Sequence, residues 1–329
     1  MVLTPDLLTS LAIVVVSLYT LVTAAERAVS SSLTVARHFD VPDVLVGMTV
    51  LALGTSLPEL GSNVVASVGI AAGSLDYEVT SAVVVGGNVG SATVQQFLLV
   101  GVLVLGYGRI DVTDTFLRGS YVPMVAALAL TLALAWDGTL TRVDGAVLLL
   151  AYVAYFAYSY RTRERQIALP AGESGSVRRE AVVAAGALVL VLASASLLLW
   201  VIGTVVAALD LGGSMVGVLT IGVAAALPEL SAVLDAVRRQ TPTVALGVLV
   251  GSNLVNPLVG LGLGAAISGY HVPDPVVFWD FPVKLVVAVA LLAYLRVGPD
   301  RALTRREGSY LLVAYLVYLS GRLLVFTTA

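Results

Sequence analysis

The sequence predicts an all-α integral membrane protein, with ten transmembrane helices arranged as two inverted five-helix repeats. Three observations predict it. The composition is too apolar for a water-soluble globule, apolar runs of spanning length recur ten times, and a Leu-Pro-Glu segment occurs once in each half, as Leu57-Pro58-Glu59 and Leu227-Pro228-Glu229.

Of 329 residues, 58% are hydrophobic and only 12% are charged. A soluble domain carries about 25% charged residues, so this chain has too little polar surface to stay in water alone. It has no cysteine, which excludes a disulfide framework, a thiolate metal site and a Cys nucleophile. No basic stretch precedes the first apolar run, so residues 1–25 do not read as a cleaved signal peptide. The expected partners are the lipid bilayer and inorganic cations, with no nucleic acid and no obligate protein partner.

A transmembrane helix needs about 20 mostly apolar residues. Runs of that order lie near 7–25, 43–69, 80–105, 117–135, 142–160, 181–208, 213–236, 242–268, 277–296 and 308–327. The longest polar interruption, 161–180, is charged and carries Pro170, Gly172 and Gly175. It reads as a cytoplasmic linker between a first repeat, 1–160, and a second, 181–329. Charge asymmetry sets the orientation. With the N-terminus outside, the cytoplasmic connections hold Arg27, Arg37, Arg109, Arg118, Arg161, Arg163, Arg165, Arg178, Arg179, Arg238, Arg239, Arg296, Arg301, Arg305 and Arg306, fifteen of the eighteen basic residues. Arg142 falls outside, and Lys284 and Arg322 fall within spans. Both termini are therefore expected to be extracellular in a multi-pass protein of the cell membrane. Trp136 and Trp279 are expected at the outer interface.

The repeat is legible in two motif regions, 47–95 and 217–256. Gly47 to Glu59 aligns with Gly217 to Glu229 without a gap. One helix later, Gly86-Gly-Asn-Val-Gly-Ser91 aligns with Gly247-Val-Leu-Val-Gly-Ser252, and the first half carries nine extra residues between its motifs. Those residues are expected in the acidic loop around Asp76 and Glu78. Five spans is an odd number, so the second half enters the membrane from the opposite side. Inverted repeats of this kind place a substrate site near the midplane, at the repeat interface.

The paired motifs carry the chemistry of a cation site. Proline inside a helix removes a backbone hydrogen bond and clashes with the carbonyl four residues earlier. Pro58 should free the carbonyls of Gly54 and Thr55, and Pro228 those of Ala224 and Ala225. In lipid a freed carbonyl needs another partner. Glu59 and Glu229 place charge beside those carbonyls, and an intramembrane carboxylate marks a functional site by default. Helical spacing puts Thr55 and Ser56 on the side of Glu59. Ser91 and Gln95 are four apart on the third span, as are Ser252 and Asn256 on the eighth. His38 and His271 fall in loops, so no imidazole joins the set. All-oxygen ligation suits Ca²⁺, Na⁺ and Mg²⁺ rather than Zn²⁺ or Cu⁺.

Gly54-Thr-Ser-Leu-Pro-Glu59 and the following Gly-Asn-x-x-Gly-Ser pattern resemble the first alpha repeat of the cation/Ca²⁺ exchanger superfamily, in its sodium/calcium exchanger branch. Residues 217–256 resemble the second alpha repeat. The resemblance implies alternating-access antiport of Ca²⁺ against Na⁺ or protons, with Glu59 and Glu229 as shared ligands. It also implies Thr55, Ser56, Ser91 and Ser252 as oxygen ligands, and the backbone carbonyls of Ala52, Thr55, Gly222 and Ala225. No resident cofactor is implied; Ca²⁺ and Na⁺ or H⁺ are cargo.

The chain departs from that pattern in the second repeat, where Ala224-Ala225-Ala226 replaces Gly-Thr-Ser. Ala92 follows the first Gly-Ser where Asn is usual, Gln95 stands at an amide position, and Asn256 stands where Asp or Asn is found. Sodium sites that need the second-repeat hydroxyls should be weakened, while two carboxylates still balance one Ca²⁺, two Na⁺ or two protons. Exchange of Ca²⁺ for Na⁺ is the leading expectation, and H⁺-coupled exchange of Ca²⁺ or another divalent ion is the alternative. A cation channel would need a continuous polar path through ten largely apolar spans. No Gly-x-Ser-x-Gly or His-Glu-x-x-His occurs, so no enzyme is expected. Four minor features have plain readings. Glu26-Arg27 is an interfacial pair, and Tyr152, Tyr155, Tyr158 and Tyr160 pack or anchor the fifth span. Asp235 caps its helix or faces the cytoplasmic vestibule, and the 161–180 loop is solvated.

Overall fold

A computed structural model of the chain describes residues 5–38, 53, 56–162, 176–209, 212–239, 242–298 and 300–326. The described residues are mostly helical. Helix α1 is Pro5–His38, and α2 is Leu57–Ala71. Helix α3 is Tyr77–Tyr107, and strand β1, Arg109–Asp111, follows it. Helix α4 is Asp114–Leu134, strand β2 is Thr139–Leu140, and α5 is Arg142–Thr162. Helix α6 is Val177–Leu209, α7 is Gly213–Ala225 and α8 is Leu227–Arg239. Helix α9 runs through Pro242–Val255, Asn256–Leu261 and Gly262–Ser268, and strand β3 is Tyr270–His271. Helix α10 is Val276–Val297, strand β4 is Ala302–Thr304 and α11 is Arg305–Val325. Among the described residues, seven helices are long and apolar enough to cross a bilayer: α3, α4, α10, α11 and stretches of α1, α6 and α9.

The element order repeats. A helix with a π-helical stretch, a short strand, a helix that starts with a π turn, a second short strand and a last helix make up α3-β1-α4-β2-α5 and again α9-β3-α10-β4-α11. The halves then exchange strands. Arg109, Ile110 and Asp111 pair antiparallel with Thr304, Leu303 and Ala302, and Thr139 and Leu140 pair with His271 and Tyr270. Helix α4 lies between β1 and β2 and is about 31 Å long at 1.5 Å per residue. The two small sheets therefore lie at opposite ends of the bundle. Arg109, Arg118 and Arg301 pair with Asp111, Asp114 and Asp300 at the β1·β4 end. Trp136 stacks edge-on against Phe278, 5.7 Å away, at the other.

Several expectations need correction. Helix α1 runs to His38, so Arg27, Arg37 and His38 are helical rather than in a loop. Arg27 reaches Glu180 on α6 at 3.7 Å, across the antiparallel α1·α6 pair, rather than serving only as half of a Glu26-Arg27 pair. Helix α6 starts at Val177 and α5 ends at Thr162, so Arg161, Arg178 and Arg179 belong to helices, and only part of 161–180 is a connection. Asp76 is not simply a solvated acid: its carboxylate accepts from the Val79 amide at 2.8 Å and caps α3. The nine extra residues are spread over a longer α2, a longer turn at 72–76 and an earlier start of α3.

The largest correction concerns the prolines. Neither lies inside a continuous helix. Helices α2 and α8 begin anew at Leu57 and Leu227, with Pro58 and Pro228 at the second position. There a missing N–H costs nothing, because the first-turn amides have no helical acceptor. The chain before α2 continues through residues outside the described set. Helix α7 ends at Ala225, with Ala226 as the joint to α8. Tyr152 and Tyr155 pack on the core as expected, while Tyr158 is exposed. The side chains of Tyr160, Pro228 and Asp235 lie outside the described residues.

Helix α7 crosses α3 at backbone distance. A Cβ on Gly217 would sit 2.1 Å from the Val83 carbonyl oxygen and 2.9 Å from the Gly87 nitrogen. Small residues bring membrane helices together in this way. Gly217→Ala is therefore expected to push α7 off α3 and destabilise the fold by about 1–3 kcal/mol. The drop in apparent melting temperature of the detergent-solubilised protein measures it.

Candidate cation site

Glu59 and Glu229 sit in the first turns of α2 and α8, the positive ends of two helices. Both side chains are essentially inaccessible, at 1% and 0% exposure. Each meets a serine from the helix that follows in its own half. Ser91 Oγ donates to Glu59 Oε1 at 2.6 Å, and Ser252 Oγ donates to Glu229 Oε1 at 3.2 Å. The halves are also joined across the site. Asn256 Nδ2, from α9, donates to Glu59 Oε1 at 3.1 Å. Ser252, which meets Glu229, and Asn256, which meets Glu59, are four residues apart on α9.

Amide groups extend this network. Gln95 Nε2 donates to Ser91 Oγ at 3.2 Å, and Asn253 Nδ2 donates to Gln95 Oε1 at 3.0 Å. Gln95 and Asn256 lie on the π-helical stretches Val94–Leu99 and Asn256–Leu261. Such stretches recur where helices carry functional groups. Gly222 brings α7 onto α3 at Ser91, whose backbone nitrogen would lie 2.9 Å from a Cβ there.

Four oxygens at this place have no hydrogen-bond partner among the described residues: Ser56 Oγ, Glu59 Oε2, Glu229 Oε2 and Asn256 Oδ1. Unpaired buried acceptors are costly. Buried oxygens with unused lone pairs suit a hard cation. Among the described residues no cluster of three or more His, Cys, Asp or Glu side chains exists. The oxygen set is thus two carboxylates and neutral groups.

Of the residues expected at the site, hydrogen bonds join Glu59, Ser91, Gln95 and Asn256, and Glu229 with Ser252 as a second group, while Ser56 precedes Glu59 by three residues. Gly222 and Ala225 are buried on α7 beside the joint. Thr55 and Ala52 lie outside the described residues. Four polar residues were not anticipated: Asn253, Asn63, Asn88 and Tyr270. Asn63 could have been found by helical spacing, being four residues after Glu59, and Asn88 by its place in the Gly-Asn-x-x-Gly-Ser motif. The sequence carries no local signal for Tyr270. Asp280, 0% exposed on α10, was also missed; it lies 3.4 Å from Arg322 on α11.

Known proteins share this architecture. The family model described as sodium/calcium exchanger protein matches residues 9–161 and 180–324. The sodium/calcium exchanger MaX1 of Methanosarcina acetivorans is 26% identical over 349 aligned residues, covering 93% of this chain and 96% of the relative. The inner membrane protein YrbG of Escherichia coli K12 is 27% identical over 307, covering 88% and 90%. Among solved structures, the sodium-calcium exchanger NCX_Mj superposes with a TM-score of 0.63 at 21% identity, covering 95% of this chain and 98% of that one. The H⁺/Ca²⁺ exchanger CAX superposes with a TM-score of 0.76 at 15% identity, covering 94% and 82%. The structural likenesses establish the fold. The family match takes in nearly all of both halves, including both Leu-Pro-Glu segments, and on that ground the chain belongs to the sodium/calcium exchanger protein family.

Proposed function

We propose that this protein is a membrane antiporter that exchanges Ca²⁺ for Na⁺ by alternating access, at a midplane site whose charged ligands are Glu59 and Glu229. The observation that carries this reading is the set of unpartnered buried oxygens on Ser56, Glu59, Glu229 and Asn256. Ser91, Ser252 and Gln95 complete the oxygen shell, with the carbonyls of Gly222 and Ala225 beside them. Thr55 and Ala52 belong to the same proposal by their place in the motif. Ca²⁺ takes 6–8 oxygens, and two glutamates neutralise its charge.

In this reading the chain spans the membrane ten times, with α7 and α8 together making one span. The strand pairs support that count. For β1 to meet β4, the chain must cross an even number of times between them, as α4, α5, α6, α7–α8, α9 and α10 do. The arginine-rich β1·β4 end is then cytoplasmic, and both termini are extracellular.

H⁺ coupling is the second reading. It is favoured by Ala225 and Ala226, buried at 1% and 2% where hydroxyls would serve Na⁺. Proteoliposomes separate the two. Vesicles loaded with Na⁺, or given an acid interior, are tested for ⁴⁵Ca²⁺ uptake. Uptake driven by Na⁺ supports the first reading and uptake driven by acid the second. Uptake driven by neither sinks both. Ala225→Thr with Ala226→Ser is expected to strengthen Na⁺ dependence; an unchanged Na⁺ affinity counts against this account of the alanines.

A further inference from the structure

Tyr270 lies in the short strand β3, away from both glutamates in sequence and at the end of the bundle opposite the arginines. It is 0% exposed. Its ring fits against α9 only because residue 264 is glycine: a Cβ there would lie 2.0 Å from the phenol oxygen. Backbone pairing of Tyr270 with Leu140 holds β3 from the other side.

Among the described residues, the phenol bonds to α2. Tyr270 Oη donates to Asn63, with the backbone oxygen at 3.0 Å and Oδ1 at 3.2 Å. It also shares a hydrogen bond of 2.6 Å with Ser67 Oγ. Asn63 Nδ2 in turn donates to the backbone carbonyl of Glu59 at 2.8 Å. This chain of bonds runs from β3 to the residue that carries the carboxylate. In the second half, the positions matching Asn63 and Ser67 are Val233 and Val237. No side chain at those two positions can brace Glu229 by a hydrogen bond, although the two Leu-Pro-Glu segments are alike in sequence.

We infer that Tyr270 is a positioning residue for the cation site, bracing Glu59 through Asn63 so that this carboxylate is the preset half of the site. The inference rests on the proposed role of Glu59 as a cation ligand. Neutral hydrogen bonds of this kind act on affinity by holding a ligand in place, rather than by adding charge. The effect belongs in the binding constant and not in the turnover rate.

The test is equilibrium ⁴⁵Ca²⁺ binding to the purified full-length protein, with exchange in proteoliposomes measured beside it. Tyr270→Phe is expected to weaken Ca²⁺ binding about 3- to 10-fold, the scale of one net hydrogen bond. The KM for Ca²⁺ should rise equally, with an unchanged maximal rate. Tyr155→Phe, which removes a hydroxyl bond to the carbonyl of Gly119, a residue outside both motif regions, should leave both constants unchanged. Ser67→Ala is the milder variant if Tyr270→Phe does not fold, and should weaken binding in the same direction. A Tyr270→Phe protein that folds and binds Ca²⁺ like the wild type overturns the inference, as does a fall in maximal rate alone. Wild-type protein that binds Ca²⁺ but exchanges none overturns the transport reading and leaves the brace standing. Wild-type protein that binds no Ca²⁺ overturns both.

Discussion

Glu59→Gln combined with Glu229→Gln is expected to abolish ⁴⁵Ca²⁺ uptake in proteoliposomes, whichever gradient drives it. Each substitution keeps the shape of the side chain and its contact with Ser91 or Ser252, and removes one negative charge. A Ca²⁺ ion out of water needs that charge, because two neutral amides leave it uncompensated in a low-dielectric site. Breaking a buried charge pair costs about 3–5 kcal/mol, so each single variant should weaken Ca²⁺ affinity by about 10²- to 10⁴-fold. Glu59 accepts bonds from Ser91 and Asn256, whereas Glu229 accepts one from Ser252. Glu59→Gln should therefore disturb its neighbours more, since the amide of Asn256 then faces a weaker acceptor. Uptake that survives in the double variant would remove the antiport assignment at this site.

Arg322→Gln is expected to cost the fold about as much as the glutamates cost transport. Arg322 and Asp280 are both 0% exposed and 3.4 Å apart, on α11 and α10. Arg322 Nη2 also donates to Ser214 Oγ at the start of α7. The Arg322 guanidinium supplies a positive charge beside the buried Asp280 carboxylate. Removing the guanidinium leaves that carboxylate buried without its counter-charge, a loss of about 3–5 kcal/mol. Asp280→Asn with Arg322→Gln removes both charges and should recover most of the stability, because a neutral pair leaves no stranded ion. Melting of the solubilised protein measures both variants. A double variant as unstable as Arg322→Gln would assign the cost to lost packing and the lost Ser214 bond instead.

The legible part of this protein followed from its solvent. Lipid satisfies no backbone group, so the spans had to be long apolar helices, and seven of the ten apolar runs coincide with described helices long and apolar enough to cross a bilayer. The candidate site stood out in the sequence for the same reason. A glutamate among apolar residues stands out, and two of them beside prolines in matched segments stand out further. Ser91, Ser252, Gln95 and Asn256 followed from helical spacing around those motifs.

Where expectation and structure part, the cause lies in contacts between distant segments. The prolines were read as kinks inside continuous helices, because proline's effect on its own helix is local and its context is not. In the fold each proline sits in the first turn of a new helix, so each glutamate gains the positive end of a helix as well as a break in the backbone. Helix α1 outran its apolar stretch because Arg27 and Ser31 find Glu180 on α6, which lets polar residues stay helical. Arg322 and Lys284 were visible as charges within spans, but Asp280 was not singled out until α10 and α11 lay side by side.

The sequence by itself determined that the chain lives in a membrane, repeats itself, and carries a glutamate in each of two matching Leu-Pro-Glu segments, the second without the Thr-Ser hydroxyls that precede the first. Those properties depend on residue type and on spacing along one helix, which are local. Only the tertiary structure decided that the two Leu-Pro-Glu segments are braced differently. Asn63 and Val233 occupy matching places, but only Asn63 meets a tyrosine, and that tyrosine arrives from a strand more than two hundred residues away. Near-identical motifs become unequal because a hydrogen bond depends on what else packs there, and packing is a property of the whole fold.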